Sequence, residues 1–269
     1  MQVAVIQMTS GDDIAANIAA LDGLIKDAVA RGAQLLTTPE NTFYMRREGT
    51  AAMVDVPMVE HAGIAYAKAA AKQHHIWLLI GSIRARGVGM DKPFNRSVLI
   101  TPAGEIAATY DKIHLFDVTL ANGQSYCESS QAVAGDETTL ADVDGLKLGL
   151  SICYDLRFPN LYRSLALQGA EIFAVPSAFT RPTGTAHWHT LLKSRAIENA
   201  CYVIAPAQCG THPGGRETYG HSLIIDPWGE VLAEASADVP QVIMATIDPA
   251  RVAHVRAQIP VLVHHRGID

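Results

Sequence analysis

Short apolar runs alternate along the chain with longer stretches in which apolar side chains recur at helical spacing. Residues 3–8 form a nearly continuous apolar run of the length of a buried strand. Residues 14–31 place isoleucine, leucine and valine three or four positions apart, which predicts an amphipathic helix that Gly32 can end. The same reasoning predicts helices at 61–74 and 161–168, and strands at 35–38, 76–80, 106–110 and 146–152. Strands alternating with helices favour an α/β fold.

Two segments of the second half repeat segments of the first half in the same order. Residues 32–39 resemble residues 169–176, and residues 97–105 resemble residues 222–230. The later pair contains the turn signals Pro-Ala-Gly and Pro-Trp-Gly between apolar runs, which predict two β-hairpins. Two similar halves, each a sheet with helices on one face, can bury their bare sheet faces together. We therefore expect one domain over residues 1–269, a four-layer αββα sandwich.

The composition narrows the classes of function. Hydrophobic residues make up 49% of the chain and charged residues 18%, which excludes disorder as the main state. The net charge is −6 without a basic cluster, so we expect neither nucleic-acid binding nor an anionic-membrane surface. No apolar run approaches the roughly 20 residues that span a bilayer. Four cysteines without CxxC spacing favour reduced thiols in the cytoplasm.

Cys153 is the first candidate for chemistry. It follows the predicted strand 146–152 and precedes the predicted helix 161–168, so it lies at a strand-to-helix turn. Backbone N–H groups at such a turn can lower the pKa of a thiol and later hold an oxyanion. A buried structural cysteine is the alternative from position alone. Cys127, Cys201 and Cys209 have no comparable setting, and we interpret them as structural.

A thiol nucleophile needs a base, and its intermediate needs a positive group. Glu40 follows the predicted strand 35–38, and Lys112 follows the predicted strand 106–110. Considered alone, Glu40 would ordinarily be interpreted as a solvated glutamate, and Lys112 as a surface lysine whose aliphatic part is buried. Glu40, Lys112 and Cys153 become a specific indication of a catalytic site only when they are considered together.

In combination they resemble the nitrilase superfamily, the carbon–nitrogen hydrolases with a Glu–Lys–Cys triad. The segments that carry the resemblance are TTPEN at 37–41, YDKIHLFD at 110–117, YCES at 126–129, ICYDLRFP at 152–159 and PSAF at 176–179. The resemblance covers nearly the whole chain and implies the αββα sandwich that the internal repeat predicts.

The resemblance also implies a role for each residue of the triad. Glu40 would be the general base and Cys153 would form a thioester with the substrate. Lys112 and the backbone N–H of Tyr154 would stabilise the oxyanion. Glu128 would hold Lys112, either as a salt-bridge partner or with a part in proton transfer. We expect no cofactor and no metal in this chemistry.

The segments around the triad favour an amidase over a nitrilase. A tryptophan–glutamate pair usually follows the cysteine of nitrilases, whereas Tyr154 and Asp155 follow it here. The segments 116–118, 219–221 and 226–229 most resemble amidases that cleave deaminated glutathione into 2-oxoglutarate and Cys-Gly. An ω-amidase for 2-oxoglutaramate or 2-oxosuccinamate is the alternative, and a non-catalytic binding protein on the same fold is a third. His189 departs from the glutamate usual at its position.

Arginines are the candidates for binding a carboxylate of such a small-molecule amide. Arg216 and Arg181 stand near turn residues and can anchor a carboxylate, although a solvated arginine is the default interpretation. For Arg157 we expect a buried pair with Asp155 instead.

The histidines do not predict a metal site from their spacing. His187 and His189 are two residues apart, which matches neither HExxH nor a helical ligand pair. His221 can complete a Cys–His dyad, although Glu40 and Lys112 already supply the roles. Finally, the resemblance implies a homodimer through the helices near Cys153 and residues 186–199.

Overall fold

Strands and helices alternate along the chain largely where the hydrophobic pattern predicts them. The computed structural model describes residues 1–46, 55–119, 123 and 125–267. Its strands are β1 (Gln2–Gln7), β2 (Leu35–Thr37), β3 (Val56–Pro57), β4 (Trp77–Arg86), β5 (Pro93–Ile100), β6 (Ile106–Asp111), β7 (Asp117–Thr119), β8 (Ser125–Cys127), β9 (Leu140–Val143), β10 (Leu146–Leu150), β11 (Ile172–Ala174), β12 (Tyr202–Ala205), β13 (Cys209–Thr211), β14 (Glu217–Tyr219), β15 (Leu223–Ile225), β16 (Val231–Glu234) and β17 (Gln241–Thr246).

Five α-helices and three short 3₁₀ turns connect these strands in the described part of the chain. The helices are α1 (Ile14–Ala30), α2 (Ala62–His74), α3 (Pro159–Leu167), α4 (Arg181–Asn199) and α5 (Pro249–Gln258). The 3₁₀ turns are Met58–Glu60, Glu128–Ser130 and Cys153–Arg157. Within the described residues, no helix is both long enough and apolar enough to cross a bilayer.

The two main sheets have the same pattern of strand pairing. The first has the order β17-β1-β2-β4-β5-β6, with β3 added beside β4, and the second has the order β9-β10-β11-β12-β15-β16. In each sheet the three central strands are parallel and are flanked by one antiparallel strand on one side and by an antiparallel hairpin on the other. The paired β5–β6 and β15–β16 are the two predicted hairpins. The internal repeat is therefore a repeat of sheet topology.

Alternation along the strands separates an outer core from an inner one. In β1, Ala4 and Ile6 pack with the apolar faces of α1 and α2. Val3 and Val5 point to the opposite face and belong to the cluster that contains the second sheet with α3 and α4. Because successive strand residues face opposite sides, each sheet buries both of its faces. The layers are helix, sheet, sheet and helix, which confirms the predicted αββα class.

The predicted boundaries differ from the observed ones where polar residues continue an element. The helix predicted at 14–31 is α1, and the Asp13 carboxylate caps its first turn by accepting from the N–H groups of Ala15 and Ala16. The strand predicted at 76–80 runs on to Arg86, with a shift in its pairing register with β5 between Ile80 and Ile83. Arg84, on this extension, pairs with Asp55 at 2.7 Å.

The two halves lie close together beside the end of β2. A Cβ atom added at Gly81 of β4 would lie 2.0 Å from the carbonyl oxygen of Thr38 and 2.6 Å from Cβ of Pro176 in the other half. These contacts are with backbone or a rigid ring, so no flexible side chain can move aside. Gly81 is therefore the residue that allows the halves to dock at this point.

Gly81→Ala is expected to lower the free energy of unfolding by about 1–3 kcal/mol, the range for overpacking a close contact. Gly23→Ala is the matched control, because Gly23 lies inside α1 with open space where the added Cβ atom would stand. That change should stabilise the protein by about 0.5–1 kcal/mol. Chemical denaturation of both variants checks the prediction, and equal effects of the two changes would contradict it.

Candidate active site

The side chain of Lys112 is buried because of its strand register. Lys112 continues β6, with its N–H bonded to the carbonyl of Asn95 at 2.9 Å, and it follows the buried Tyr110 by two positions. Residues two apart on a strand face the same side, so Lys112 points into the space between the sheets. Only 2% of its surface is exposed.

Two carboxylates and an amide surround the Lys112 ammonium. The Nζ atom lies 2.9 Å from Oε1 of Glu40 and 2.9 Å from Oε2 of Glu128. Asn95 links the same carboxylates, since its Nδ2 donates to Glu40 Oε1 and to Glu128 Oε1, both at 2.9 Å. The backbone N–H of Ala178 donates to the other oxygen of Glu40 at 3.0 Å. Glu40 therefore receives donors on both of its oxygens.

The charged groups in this cluster shift one another's pKa values. Burial works to raise the pKa of Glu40, but the charge and hydrogen bond of Lys112 outweigh it and keep that pKa below its usual range. Burial also opposes the charged form of Lys112, yet Glu128 and Glu40 hold its pKa well above the ordinary value. The resting site therefore contains an ionised lysine beside the ionised carboxylate of Glu40.

Cys153 stands at the strand-to-helix turn in a strained backbone conformation. It begins the 3₁₀ turn after β10 with φ of 50°, a region that non-glycine residues seldom occupy. Its own N–H donates to the carbonyl of Pro176 at 2.9 Å. Strain of this kind persists only where neighbouring contacts hold it.

Asp155 supplies contacts that hold this turn. Its carboxylate is fully buried and accepts from the N–H of Ile152 at 2.8 Å and from the hydroxyl of Tyr110 at 2.7 Å. It also accepts from the N–H of His114 at 3.0 Å. The carboxylate therefore connects the end of β6 in the first half to the cysteine turn in the second half.

The thiol of Cys153 lies beside Glu40 and is protonated at rest. Burial and then the charge of Glu40 raise the pKa of the Cys153 thiol, and the positive charge of Lys112 only partly offsets them. The hydrogen bond between the thiol and the Glu40 carboxylate in turn helps to lower the pKa of Glu40. A neutral thiol in contact with an ionised carboxylate is an arrangement from which a proton can pass to the carboxylate.

These groups line one cavity of about 360 Å³. Glu40, Lys112, Glu128 and Cys153 contribute to its wall, and so does Tyr154. Tyr154 is the second residue of the 3₁₀ turn, and the first N–H groups of a helical turn have no partner within it.

One known family matches nearly the whole chain. The family model of carbon–nitrogen hydrolases matches residues 2–257. The chain belongs to the carbon–nitrogen hydrolase family.

Individual relatives agree with this assignment over nearly the whole chain. A deaminated glutathione amidase of Synechocystis sp. is 43% identical over 97% of this chain and 96% of its own length. The Homo sapiens protein of the same name is 38% identical over 98% of this chain and 82% of its own. The crystal structure of Saccharomyces cerevisiae Nit3, a member of branch 10 of the nitrilase superfamily, superposes with a TM-score of 0.86 at 29% identity, covering 97% of this chain and 94% of that one. The predicted superfamily and the prediction of an amidase are confirmed.

Four arginines of the carbon–nitrogen hydrolase line the cavity: Arg46, Arg84, Arg157 and Arg216. Arg216 lines it and donates from Nη2 to the carbonyl of Ala178 at 2.9 Å. Arg157 also lines it, with its guanidinium 5.8 Å from the ring centre of Tyr154 and 5.5 Å from that of Phe179. The expected pair between Arg157 and Asp155 was wrong, because Asp155 is saturated by the groups described above.

Arg181 of the hydrolase lies elsewhere. It begins α4 at the surface and pairs with Asp238 at 2.6 Å and with Glu217 at 3.7 Å. It is not among the residues that line the described cavity. The electrostatic partners of Arg181 are therefore residues of the chain itself.

Sequence reasoning did not find Asn95 or Ala178 as site residues. Asn95 is a polar residue at an inward-facing position of β5, and that alternation is the only local signal for it. Ala178 acts through its backbone N–H, which no side-chain pattern can indicate. His221 does not form the Cys–His dyad considered above, since it contacts Glu234 and lies outside the lining of the described cavity.

Lys112→Met is expected to lower the free energy of unfolding by about 3–5 kcal/mol at neutral pH, because it leaves buried carboxylates without their cation. The loss should shrink as pH falls through about 4.5, the unfolded-state pKa of a glutamate. In the wild type the lowered pKa of Glu40 contributes stability above that value, and this contribution disappears on acidification. In the variant, burial raises the pKa of Glu40, so protonation of Glu40 stabilises the native state.

Denaturant unfolding of both proteins across this pH range measures the difference. Lys147→Met is the matched control, since Lys147 forms an exposed pair with Asp142 and should change stability little. A loss for Lys112→Met that stays constant down to acid pH would show that Glu40 is not the partner concerned.

Proposed function

We propose that this carbon–nitrogen hydrolase cleaves the amide of deaminated glutathione through a thioester on Cys153, releasing 2-oxoglutarate and Cys-Gly. The observation that carries the proposal is the meeting of the Cys153 thiol, the Glu40 carboxylate and the Lys112 ammonium on one cavity wall. Near-full-length relatives named deaminated glutathione amidase support the substrate. Amide hydrolysis needs a nucleophile, an acid for the leaving amine and a fixed positive charge, and these groups offer all three.

In the first step the thiol sulfur attacks the amide carbonyl carbon. Glu40 accepts the thiol proton as the carbon–sulfur bond forms, so the nucleophile does not exist as a free thiolate beforehand. This timing follows from the raised pKa of Cys153 and the ionised state of Glu40. The negative charge that develops on the carbonyl oxygen is stabilised by Lys112 and by the N–H of Tyr154.

In the second step the carbon–nitrogen bond breaks. Glu40 donates its proton to the nitrogen, and the amine of Cys-Gly leaves with the bonding electron pair, while the acyl group remains on Cys153 as a thioester. Glu40 then accepts a proton from an entering water molecule, whose oxygen attacks the thioester carbon. Collapse of this second intermediate returns the proton to the thiol and releases 2-oxoglutarate.

Glu128 keeps Lys112 in position during both steps. Its Oε2 accepts from Lys112 and also from the backbone N–H of Phe116 at 2.7 Å, so the carboxylate is itself held in place. With Glu40 on one side and Glu128 on the other, the ammonium stays charged when Glu40 is transiently protonated. We assign Glu128 a positioning role on this basis.

The substrate carboxylate beside the keto group needs a cation other than Lys112, which serves the oxyanion. Arg216 is the predicted candidate, and Arg157 is a second arginine in the same cavity. The Nε atom of Arg216 is buried and has no hydrogen-bond partner among the described residues, so it is a donor still to be satisfied. A guanidinium can bind a carboxylate with two parallel hydrogen bonds.

We further propose that the enzyme acts in the cytoplasm as a homodimer. Four free cysteines support a reducing compartment. Apolar surface on α4 supports self-association: Ile197 is 53% exposed, and the neighbouring Trp228 is 44% exposed. We also propose that residues 1–269 act as one domain, because each half supplies only part of the catalytic group.

Cys153→Ala is expected to abolish amide hydrolysis, whereas Cys201→Ala should retain most of it. The control is matched because Cys201 is also buried, and burial raises its pKa to about 12, but it lies outside the cavity. Mass spectrometry of enzyme quenched during turnover of a slow amide should find the acyl group on Cys153. An acyl group on another residue would refute the thioester proposal.

Arg216→Ala is expected to reduce kcat/KM for deaminated glutathione by roughly ten- to a hundredfold, equivalent to about 1.5–3 kcal/mol for a lost charged hydrogen bond. A short neutral amide should lose much less, because it has no carboxylate to bind. Arg181→Ala, which removes an arginine outside the cavity, should change neither substrate appreciably.

Competition between deaminated glutathione and 2-oxoglutaramate then tests the substrate itself. A higher kcat/KM for 2-oxoglutaramate would favour the ω-amidase instead. Equal losses on charged and neutral amides in Arg216→Ala would show that Arg216 supports the Ala178 backbone and does not bind substrate.

A further inference from the structure

Three potential metal ligands meet on the second half, outside the lining of the described cavity. They are His189 on α4, His221 in the turn after β14, and Glu234 at the end of β16. One ligand atom from each residue lies within 4.8 Å of the other two. We propose that these three residues form a binding site for a divalent transition-metal ion, with zinc as the best match.

The two imidazoles converge on one carboxylate oxygen. Oε1 of Glu234 lies 3.0 Å from Nε2 of His189 and 2.8 Å from Nδ1 of His221. Neighbouring ligand atoms of a tetrahedral zinc ion lie about 3.3 Å apart when the bonds are near 2.0 Å. The two nitrogen–oxygen distances are a few tenths of an ångström shorter than this spacing, so the shared oxygen would move away from both nitrogens to admit an ion. The three ligand atoms, which lie within 4.8 Å of one another, would then close around the ion.

The donor set selects the class of ion. Two imidazole nitrogens and one carboxylate suit zinc and its transition-metal neighbours, whereas calcium and magnesium prefer oxygen ligands alone. The cluster thus provides one carboxylate oxygen and two imidazole nitrogens.

The backbone positions these ligands in advance. His221 has φ of 52° and follows Gly220 at 68°, so two successive residues occupy the left-handed region. The carbonyl of His221 accepts from Nε1 of Trp188 at 2.7 Å, which fixes the turn against α4 next to His189. The ring of Tyr219 also packs against that of His221, with 4.5 Å between their centres. A strained turn secured in this way aims the His221 ring at His189 and Glu234.

Access to the cluster is open on one side. The side chains of Glu234, His189 and His221 are 38%, 34% and 25% exposed. An ion can therefore enter from solvent and keep water as its fourth ligand. Because the ligands come from a helix, a turn and a strand, the bound ion would cross-link these elements. The catalytic steps proposed above do not involve this ion.

Isothermal titration of zinc-stripped enzyme with Zn²⁺ at neutral pH tests the site. The wild type should bind one equivalent per chain with saturation. His189→Gln and Glu234→Gln, which preserve much of the side-chain shape, should each weaken binding by at least about tenfold. His187→Gln is the matched control, since it removes a histidine two residues away on the same helix and should retain wild-type affinity.

A thermal melt gives a second readout. Zn²⁺ should raise the melting temperature of the wild type and of His187→Gln, but not that of Glu234→Gln. Absence of a saturable equivalent in the wild type would overturn the proposal, and so would unchanged affinity in both ligand variants. In either case the three residues form a hydrogen-bonded cluster only. Amide hydrolysis by the zinc-stripped wild type is the separate test of the proposed function.

Discussion

The candidate active site depends on one buried positive charge. An ammonium removed from water is unfavourable unless carboxylates compensate it at hydrogen-bond distance, and Lys112 meets this requirement with Glu40 and Glu128. Those carboxylates in turn need donors for their remaining oxygens, which Asn95, Ala178 and Phe116 provide. The strands and loops that carry these groups are therefore arranged around a charge that has no alternative partner.

The same requirement joins the two halves of the molecule. Glu40 and Lys112 follow strands of the first sheet, whereas Cys153 and Ala178 follow strands of the second. Asp155 makes the link rigid, because its buried carboxylate binds Tyr110 of the first half while it holds the cysteine turn of the second. Docking of the bare sheet faces thus supplies both the apolar core and the relative position of the Glu40 carboxylate, the Lys112 ammonium and the Cys153 thiol.

Much of this could be predicted from local pattern, and the remainder depends on distances in space. Alternation and helical spacing located α1 and the strands that end near Glu40 and Cys153, and the repeated turn signals indicated two matching sheets. Only the resemblance to a family brought Glu40 and Lys112 together, because 72 residues separate them. The position of Asn95 arises from strand register, and the contact of His189 with His221 and Glu234 arises from how α4 packs against β14 and β16. Neither has a signature in residue spacing. The position of Arg157 was misjudged because nearness in sequence to Asp155 does not determine which way either side chain points.

The order of strands in the first sheet has a consequence for how the chain acquires its structure during synthesis. β1, β2 and β4–β6 leave the ribosome early, but the strand that completes their sheet beside β1 is β17. Until residue 246 has emerged, the hydrogen-bonding edge of β1 has no partner, and an unpaired edge is a template for association with other chains. The first half therefore cannot finish folding before the second half has been made, which favours a single late step in which both sheets close together.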